Sequence, residues 1–403
     1  MKTKPVPLIN RFPTLFCDKN DHHFEELYKS SLSETTKPVV WAHIDSWEEA
    51  EILQPILKRF AEGQRHTILT TYSSSLSDEN KLHRDYDYSN YLFPLPKDTP
   101  SNAESFLSLI KPDTALFAVS AYLSGYLLQL RRRNIPTFLI ARKIAKPSFP
   151  GCLGISSLQD ALKTFTHIFI FDKKSEDFLD KLGIKRATVN EYPPISDIWT
   201  KEKKHFYDRT IERFISDEKF VFIGGNIHTS RDWKRVSQLA NKNPRMKCIL
   251  VPHTISEEHL LRIKSELKGF TLLCSECDEK TDFSNVQVLV TDVINDPSGI
   301  YRYGSCAYIG GGSSLFLHNL AEATAHGLPT SFGPQTGHPV LPEHLVRSGI
   351  STIVKTSEDL SKWGKNLEAT PSLAHRINLE AVQFVERSRE TAHSIYTCIN
   401  SCL

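Results

Sequence analysis

The stretch that decides the fold is Ala307-Tyr-Ile-Gly-Gly-Gly-Ser-Ser-Leu-Phe-Leu-His-Asn-Leu-Ala-Glu-Ala, which ends at Ala323. Its apolar start predicts a buried strand over Cys306–Ile309, and a helix is expected to begin near His318 or Asn319. Three glycines lie between the two elements. Because glycine has no Cβ atom, their backbone can approach an anion beside the helix N-terminus. The pattern predicts an α/β fold with a phosphate site at the end of this strand.

Glu322 extends this candidate site. It follows Asn319 by three residues, about one helical turn, so both side chains can face the same ligand, and a carboxylate there suits ribose hydroxyls. The spacing is not the G-x-G-x-x-G fingerprint of dinucleotide sites. A tight strand-to-helix turn capped by Asn319 explains the same residues without a ligand, and the local pattern leaves both interpretations open.

The rest of the sequence repeats the strand-helix pattern in two halves. Amphipathic stretches such as Glu48–Glu62, which Gly63 ends, alternate with short apolar runs. Such alternation predicts parallel sheets. The predicted strands are Val39–Ile44, Thr67–Thr71, Tyr91–Pro94, Ala115–Val119, Thr137–Ala141, His167–Phe171, Phe220–Gly224, Lys247–Val251, Gln287–Val290, Cys306–Ile309 and Thr330–Phe332.

The boundary between the halves is placed at Tyr192-Pro-Pro-Ile-Ser-Asp, where two prolines prevent a helix from continuing. We therefore expect an N-terminal Rossmann-like domain over residues 1–192. The second domain is expected over 193–403, closed by a long helix over Leu373–Ile399. Two doubly wound domains would face each other across a cleft, and ligands of such sheets bind beyond the carboxyl ends of the strands.

Composition excludes several classes of protein. With 40% hydrophobic and 24% charged residues, the chain of 403 residues is globular, and its formal charge of +2 is too small for a protein whose main partner is nucleic acid. No apolar stretch reaches about 18 residues and the start lacks the apolar region of a signal peptide, so a cytosolic chain is expected. The eight cysteines are scattered, which predicts reduced thiols. Only Cys274-Ser-Glu-Cys277 has ligand-like spacing, and no metal is expected.

Two further turns of the second half are candidates for ligand binding. Phe222-Ile-Gly-Gly-Asn-Ile-His carries Asn226 and His228 at the end of a predicted strand, and Pro252-His-Thr places His253 after the next one. Either histidine could contact a phosphate or a sugar. A hydrogen-bonded structural role explains a single histidine at least as well.

In the first half, Trp41-Ala-His-Ile-Asp-Ser-Trp-Glu-Glu runs from a strand into a helix and places two glutamates, Glu48 and Glu49, in the first helical turn. The helix dipole stabilises an ionised carboxylate there, which could serve as a base in a cleft. A capping role explains one glutamate, and the other is the candidate base.

Taken in order, these pieces resemble the transferases of 3-deoxy-D-manno-octulosonic acid (Kdo), particularly their Bacteroidetes branch. The similar elements span roughly residues 38 to 350. They are Trp41-Ala-His with Ser46 and Glu49, Thr70-Thr-Tyr-Ser-Ser-Ser, Leu92-Phe-Pro-Leu-Pro-Lys-Asp-Thr-Pro-Ser-Asn-Ala, Ile135-Pro-Thr-Phe-Leu-Ile, Pro252-His-Thr-Ile-Ser-Glu-Glu-His, and Tyr308-Ile-Gly-Gly-Gly through His318-Asn and Glu322.

The resemblance implies a GT-B fold and an inverting glycosyltransferase of lipopolysaccharide synthesis, with CMP-Kdo as donor, a lipid A precursor as acceptor, and neither metal nor cofactor. It implies Glu49 as the catalytic base. The donor-side residues would be Gly310, Gly311, Gly312, His318, Asn319, Glu322, His253, Asn226 and His228. The acceptor-side residues would be Ser46, Ser73 and Arg142.

Some motifs depart from the family pattern. Ala121 stands where the family has a carboxylate, Leu315–Leu317 replace glycines before His318, Asn190-Glu-Tyr-Pro-Pro-Ile replaces an acidic segment, and the usual amino-terminal hydrophobic anchor is missing. Two alternatives therefore stay open. One is a catalytically impaired paralogue that binds nucleotide or acts as a scaffold, and the other is a GT-B enzyme with another donor.

The expected acceptor is a lipid, so peripheral contact with the cytoplasmic face of the inner membrane is expected from the first domain. Its basic candidates are Arg131, Arg132 and Arg133, beside the mouth of the cleft at the end of a predicted helix over Tyr122–Leu130. Complementing the negative end of that helix explains the same arginines without a membrane.

Overall fold

The computed structural model describes residues 36–73, 76, 88–118, 123–141, 144, 157–194, 208–216, 220–253, 255–293, 297–311, 320–334 and 340–403. The chain divides into two compact units. Unit 1 comprises Met1–Ser196 with Ser388–Leu403, and unit 2 comprises Asp197–Arg387.

Unit 1 is built on a seven-stranded parallel sheet of order β3-β2-β1-β4-β5-β6-β7. Its strands are β1 (Val39–Ile44), β2 (Thr67–Tyr72), β3 (Tyr91–Pro94), β4 (Thr114–Ala118), β5 (Thr137–Ala141), β6 (His167–Ile170) and β7 (Ala187–Val189). Its helices are α1 (Trp47–Glu62), α2 (Pro100–Ile110), α3 (Ser124–Arg132), α4 (Leu158–Leu162) and α5 (Lys173–Lys181).

The core of unit 1 is centred on Trp41 of β1. This side chain is fully buried, and its ring lies 5.1 Å from the ring of Phe106, 5.3 Å from that of Phe117 and 5.7 Å from that of Tyr126. All six residues of β1 are buried, as expected for a central strand covered on both faces. The first strand is thus held in place by helices α2 and α3, which fixes where its carboxyl end emerges.

Unit 2 has a second seven-stranded parallel sheet, of order β10-β11-β9-β8-β12-β13-β14. Its strands are β8 (Val221–Ile227), β9 (Lys247–Pro252), β10 (Thr271–Leu273), β11 (Val288–Val290), β12 (Cys306–Ile309), β13 (Thr330–Phe332) and β14 (Ser351–Ile353). Its helices are α6 (Arg209–Ile215), α7 (Ser230–Lys242), α8 (Glu257–Glu266), α9 (Leu320–Ala325), α10 (Val340–Arg347), α11 (Ser357–Ala369) and α12 (Pro371–Asn400), whose last residues count with unit 1. Two 3₁₀ turns, Cys274–Glu276 and Pro297–Tyr303, connect them.

The predicted α/β class and all eleven predicted strands are confirmed, with shifts of up to three residues at their ends. Three strands escaped prediction: β7, β10 and β14. Each has only three residues, and each is the last or first strand of its sheet, largely exposed or half-buried. An edge strand of this kind needs no continuous apolar run, so the pattern that marks central strands is missing.

The assignment of 193–403 to one domain differs from the observed units. The division falls after Ser196, and residues 388–403 group with unit 1. Tertiary contacts explain this: the ring of Tyr396 lies 4.7 Å from that of Phe60, and the Arg59 guanidinium donates to the Arg389 carbonyl oxygen at 3.3 Å. The predicted closing helix exists, but its last turns complete the first unit.

Among the described residues, no helix combines the length and apolar character that crossing a membrane requires.

Candidate functional site

The carboxyl ends of β8 and β12 lie side by side at one edge of the unit 2 sheet. The chain leaves β8 toward β9 on one side, while β12 pairs with β8 on the other side. A doubly wound sheet has its topological switch point where successive connections diverge in this way, and ligands bind in the resulting crevice. The predicted donor residues at the ends of β8, β9 and β12 therefore lie on three neighbouring strands.

Asn226 and His253 meet at this edge. The Nδ1 group of His253 donates a hydrogen bond to the Asn226 side-chain oxygen at 2.7 Å, and the backbone N–H of His253 donates to the Ile227 carbonyl at 3.0 Å. The exposed His228 ring packs edge-on against the His253 ring at 4.5 Å. The three predicted residues Asn226, His228 and His253 thus form one cluster.

The Asn226 backbone is left-handed, with φ of 49°, and its side chain is only 6% exposed. Its amide nitrogen Nδ2 is buried and has no hydrogen-bond acceptor among the described residues. A buried amide N–H without an acceptor is uncommon in folded proteins. This atom is therefore a group for which a ligand oxygen is a natural partner.

The glycine turn after β12 packs against the same residue. A Cβ atom on Gly310 would lie 2.2 Å from the Asn226 carbonyl oxygen, so only glycine fits there. The Gly310 N–H donates to the Gly225 carbonyl at 2.8 Å, and the Gly311 N–H donates to the Asp232 carboxylate at 3.2 Å. Both N–H groups are bonded within the fold, and phosphate contact through them stays a prediction.

Asp232 organises this turn. Asp232 was not predicted as a site residue from the sequence. Its fully buried carboxylate accepts from the Tyr308 hydroxyl at 2.6 Å and from the Thr229 backbone at 3.0 Å, and the Arg235 guanidinium lies 3.6 Å away. Burial raises the pKa of Asp232, but the hydrogen bonds from Tyr308, Thr229 and Gly311 outweigh it and hold the pKa below its ordinary value. Thr229-x-x-Asp232 is a capping-box pattern that could have identified this residue.

Glu322 lies on the short helix α9 and is buried, with 5% of its surface exposed. Its backbone carbonyl accepts from the His326 N–H at 3.2 Å. The other donor-side residues of this segment, Gly312, His318 and Asn319, lie outside the described residues. The expectation that Asn319 and Glu322 face one ligand stays a prediction.

In unit 1, Glu49 lies at the carboxyl end of β1. Ser46 caps helix α1 by accepting from the Glu49 backbone N–H at 3.3 Å, and the Glu49 carboxylate Oε2 accepts from the Asp45 N–H at 2.9 Å. Glu49 is 4% exposed. The sequence predicted a capping role for one glutamate and a catalytic role for the other. In the structure, Glu49, the candidate base, makes a capping contact itself.

Ser73 joins this edge because its backbone N–H donates to the Ile44 carbonyl at 2.9 Å, which ties the ends of β1 and β2 together. Ser46, Glu49 and Ser73 thus lie at the ends of two adjacent strands. Arg142 and Ala121 lie outside the described residues.

His43 and Thr71 form a buried pair beneath this edge. The His43 Nδ1 atom lies 3.0 Å from the Thr71 hydroxyl, which also accepts from the Trp41 indole N–H at 3.0 Å. Burial lowers the pKa of His43 from 6.5 to about 4, although Asp45 and Thr71 act in the opposite direction. His43 is therefore neutral at physiological pH.

Asp98, within the Leu92–Ala103 motif, makes a structural contact in this chain. The Asp98 carboxylate accepts from the backbone N–H groups of Gly125 at 3.0 Å and Tyr126 at 3.3 Å, so it caps helix α3 from a neighbouring loop. Burial raises the pKa of Asp98 despite these bonds. Such a cap between distant segments carries no local sequence signal.

Comparison with known proteins identifies the relatives of this chain. The family model described as 3-deoxy-D-manno-octulosonic-acid transferase (kdotransferase) matches residues 22–193. The 3-deoxy-D-manno-octulosonic acid transferase of Aquifex aeolicus is 27% identical over 341 residues, which cover 82% of this chain and 86% of that relative. The transferase of the same name from Chlamydia trachomatis serovar A is 23% identical over 82% of this chain and 80% of its own length.

The chain is similar to Kdo transferases over 82% of its length. Membership of the Bacteroidetes branch stays a prediction.

Solved structures show the fold of this chain. A UDP-GlcNAc 2-epimerase from Neisseria meningitidis superposes with a TM-score of 0.61 at 14% identity, covering 89% of this chain and 99% of that one. MurG from Acinetobacter baumannii superposes with a TM-score of 0.57 at 12% identity, over 89% and 99% of the two chains. Together with the two parallel seven-stranded sheets, these similarities confirm the GT-B fold.

The arginines proposed for membrane contact do not lie where the sequence predicted, which was beside the mouth of the cleft. Arg131, Arg132 and Arg133 end helix α3 and lead into β5, at the amino-terminal edge of the sheet, whereas Glu49 follows a strand and lies at the opposite, carboxyl edge. They are therefore not beside the proposed catalytic edge. Other exposed basic residues lie at the same edge, in the helix ends and loops that precede the strands: Lys37, Arg65, Lys111, Lys163, Lys181, Lys185 and Arg186.

Cys274 and Cys277 are both free thiols. Burial is the main cause that raises the pKa of both thiols, which favours their neutral form. The described residues contain no group of three or more potential metal ligands.

Proposed function

We propose that this protein transfers Kdo from CMP-Kdo to a lipid A precursor during lipopolysaccharide synthesis. The observation that carries the proposal is sequence similarity to Kdo transferases, which covers 82% of the chain for two relatives. The GT-B fold supports it, since this fold separates donor and acceptor functions into two doubly wound units. The proposal includes no metal and no cofactor beyond the sugar nucleotide itself.

The proposed donor site lies in unit 2. The cluster of Asn226, His228 and His253 offers N–H groups at the switch point of the sheet, and the phosphate of CMP-Kdo is the anionic group that such donors suit. Glu322 would accept hydrogen bonds from ribose hydroxyls. Gly310 and Gly311 shape the turn beside Asn226, and Gly312, His318 and Asn319 would complete the site.

The proposed acceptor site lies in unit 1, with Glu49 as general base. The acceptor hydroxyl transfers its proton to the Glu49 carboxylate while its oxygen bonds to the anomeric carbon of Kdo. The bond from that carbon to the phosphate breaks, and its electron pair leaves with CMP, so the configuration inverts. The position of Glu49 in the first turn of α1 and its bond from the Asp45 N–H stabilise the carboxylate before it accepts the proton. Ser46, Ser73 and Arg142 would orient the acceptor.

We also propose that this protein is cytoplasmic and contacts the inner membrane peripherally, because its proposed acceptor is a lipid. The basic amino-terminal edge of the unit 1 sheet is the surface that suits an anionic bilayer, although Glu49 lies at the other edge.

A donor panel and a transfer assay test the function. CMP-Kdo and CMP should raise the melting temperature of the purified chain, whereas UDP-GlcNAc should not, and mass spectrometry should detect a lipid A precursor enlarged by Kdo. A response to UDP-GlcNAc alone would favour a GT-B enzyme with another donor. Binding of CMP-Kdo without transfer would favour a catalytically impaired paralogue.

A further inference from the structure

Asn226 has three features that destabilise the fold when no ligand is bound. Its backbone is left-handed, which is strained for any residue other than glycine, although asparagine tolerates it better than most. Its side chain is 6% exposed, and the buried Nδ2 atom has no acceptor among the described residues. Glycine at this position would remove both the strain and the unsatisfied amide. The asparagine side chain therefore serves something other than the stability of the turn.

His253 orients the Asn226 amide and so determines which of its two ends can contact a ligand. The His253 Nδ1 atom lies 2.7 Å from the amide oxygen. In the tautomer protonated at Nδ1 it donates to that oxygen, and a flipped amide would bring its own N–H groups against this donor. The backbone bond from His253 to Ile227 and the edge-on His228 ring hold the imidazole in position. Nδ1 donates in a neutral imidazole of this tautomer and in the protonated ring, so the orientation does not depend on the charge of His253.

The place of this pair in the sheet indicates what the amide meets. Asn226 ends β8, the strand between β9 and β12, and the Gly310 backbone packs against the Asn226 carbonyl oxygen with no room for a side chain. The switch point of a doubly wound sheet is where a nucleotide phosphate binds. A phosphate oxygen is an acceptor for an amide N–H, whereas a carboxylate at position 226 would repel it.

We propose that His253 is a positioning residue that fixes the Asn226 amide so that its N–H group donates to the phosphate of the donor nucleotide. The inference rests on the proposed function and deepens it, since it names the atom that would recognise the phosphate and the residue that orients it.

Calorimetric titration with CMP and with cytidine, which lacks the phosphate, tests this inference on the full chain. Asn226→Asp should weaken CMP binding by about tenfold to hundredfold, the range for one charge-assisted hydrogen bond, and leave cytidine binding within about twofold. His253→Ala should weaken CMP binding less, because the amide can then turn either way. His253→Ala should have no further effect in an Asn226→Ala background.

Two further variants distinguish phosphate recognition by Asn226 from a purely structural role. Asn226→Gly should raise the melting temperature and still weaken CMP binding. The control is Asn243→Asp, at a buried asparagine whose amide donates to the Leu239 carbonyl at 2.7 Å. It should lower the melting temperature without changing the ratio of CMP to cytidine affinity.

The outcomes separate the inference from the proposed function. If the wild-type protein binds CMP and Asn226→Asp binds it equally well, the inference is wrong and the proposed donor stands. Equal losses for CMP and cytidine would also overturn the inference, since the amide would then not act on the phosphate. If the wild-type protein binds no CMP, both the proposed donor and the inference fail.

Discussion

The Asp232 carboxylate accepts the backbone N–H of Gly311 at 3.2 Å, across 79 residues of sequence. The same carboxylate caps helix α7 through Thr229 and accepts from the Tyr308 hydroxyl. One buried side chain therefore holds together the turn after β8 and the glycine turn after β12. The shape of the proposed phosphate site depends on this link.

Replacing Asp232 should disturb both turns at once. In Asp232→Asn, an amide N–H replaces one acceptor oxygen, and the buried Arg235 loses its counter-charge. Breaking a buried charge pair removes about 3–5 kcal/mol of unfolding free energy, and denaturant titration should show a loss of this order. The matched control is Asp172→Asn at the cap of α5, where the Asp172 carboxylate accepts from the Ser175 N–H at 2.9 Å. Asparagine caps a helix about as well as aspartate does, so this control should change the unfolding free energy by less than about 1 kcal/mol. Equal losses would contradict the special role of Asp232.

Gly310→Ala tests the close approach of the two turns. The added Cβ would lie 2.2 Å from the Asn226 carbonyl, so the turn must move, and both the melting temperature and CMP affinity should fall. Gly63→Ala is the control, because a Cβ at Gly63 meets only the Arg65 side chain at 4.0 Å and its φ of −78° suits alanine. If the Gly310→Ala protein kept the wild-type melting temperature and CMP affinity, the close approach of the two turns would be contradicted.

The buried His43 predicts a pH dependence of stability. Its pKa is about 4 when folded and 6.5 ordinarily, so the unfolded chain binds this proton more readily. The stabilisation from neutral His43 is fully present above pH 6.5 and is lost as the pH falls toward 4. The difference of about 2.5 pH units corresponds to about 3 kcal/mol. Denaturant titrations across this range should show a shallower loss for His43→Gln than for the wild-type protein, and parallel curves would contradict the assignment.

The amino-terminal edge of the unit 1 sheet should bind anionic vesicles. In the described part of unit 1, five helices end at this edge, and their carboxyl ends supply roughly −0.5 charge each, which the basic residues exceed. Each basic residue near an anionic bilayer contributes about 1 kcal/mol, so replacing Arg131, Arg132 and Arg133 by Gln should weaken flotation with phosphatidylglycerol vesicles about a hundredfold.

The control for vesicle binding is the pair Lys173→Gln and Lys174→Gln, at the start of α5 and so at the opposite edge. It should leave flotation unchanged, and added salt should release the wild-type protein. A loss with the lysine pair but not with the three arginines would place the contact at the carboxyl edge.

The sequence alone was enough to predict the central strands and therefore the carboxyl ends at which the candidate residues lie. Runs such as Val39–Ile44 and Cys306–Ile309 are continuously apolar because both faces of a central parallel strand are covered. The glycines after β12 and the asparagine after β8 were recognisable for the same reason: each follows such a run directly.

Contacts between distant segments were not predictable. The bond between His253 and Asn226 spans 27 residues, and that between Asp232 and Tyr308 spans 76. Nothing in either local pattern states that the two segments meet. The capping of α3 by Asp98 and the packing of Tyr396 on Phe60 depend in the same way on tertiary structure.

The most direct test of the proposed function is the rate at which wild-type and Glu49→Gln proteins transfer Kdo from CMP-Kdo to a lipid A precursor. Glutamine keeps an oxygen that can accept from the Asp45 N–H, so the fold should persist while the base is lost. We predict transfer by the wild-type protein, a rate at least about a hundredfold lower for Glu49→Gln, and an unchanged rate for Glu62→Gln at the far end of α1. No transfer by the wild-type protein, or an equal rate for Glu49→Gln, would contradict the account.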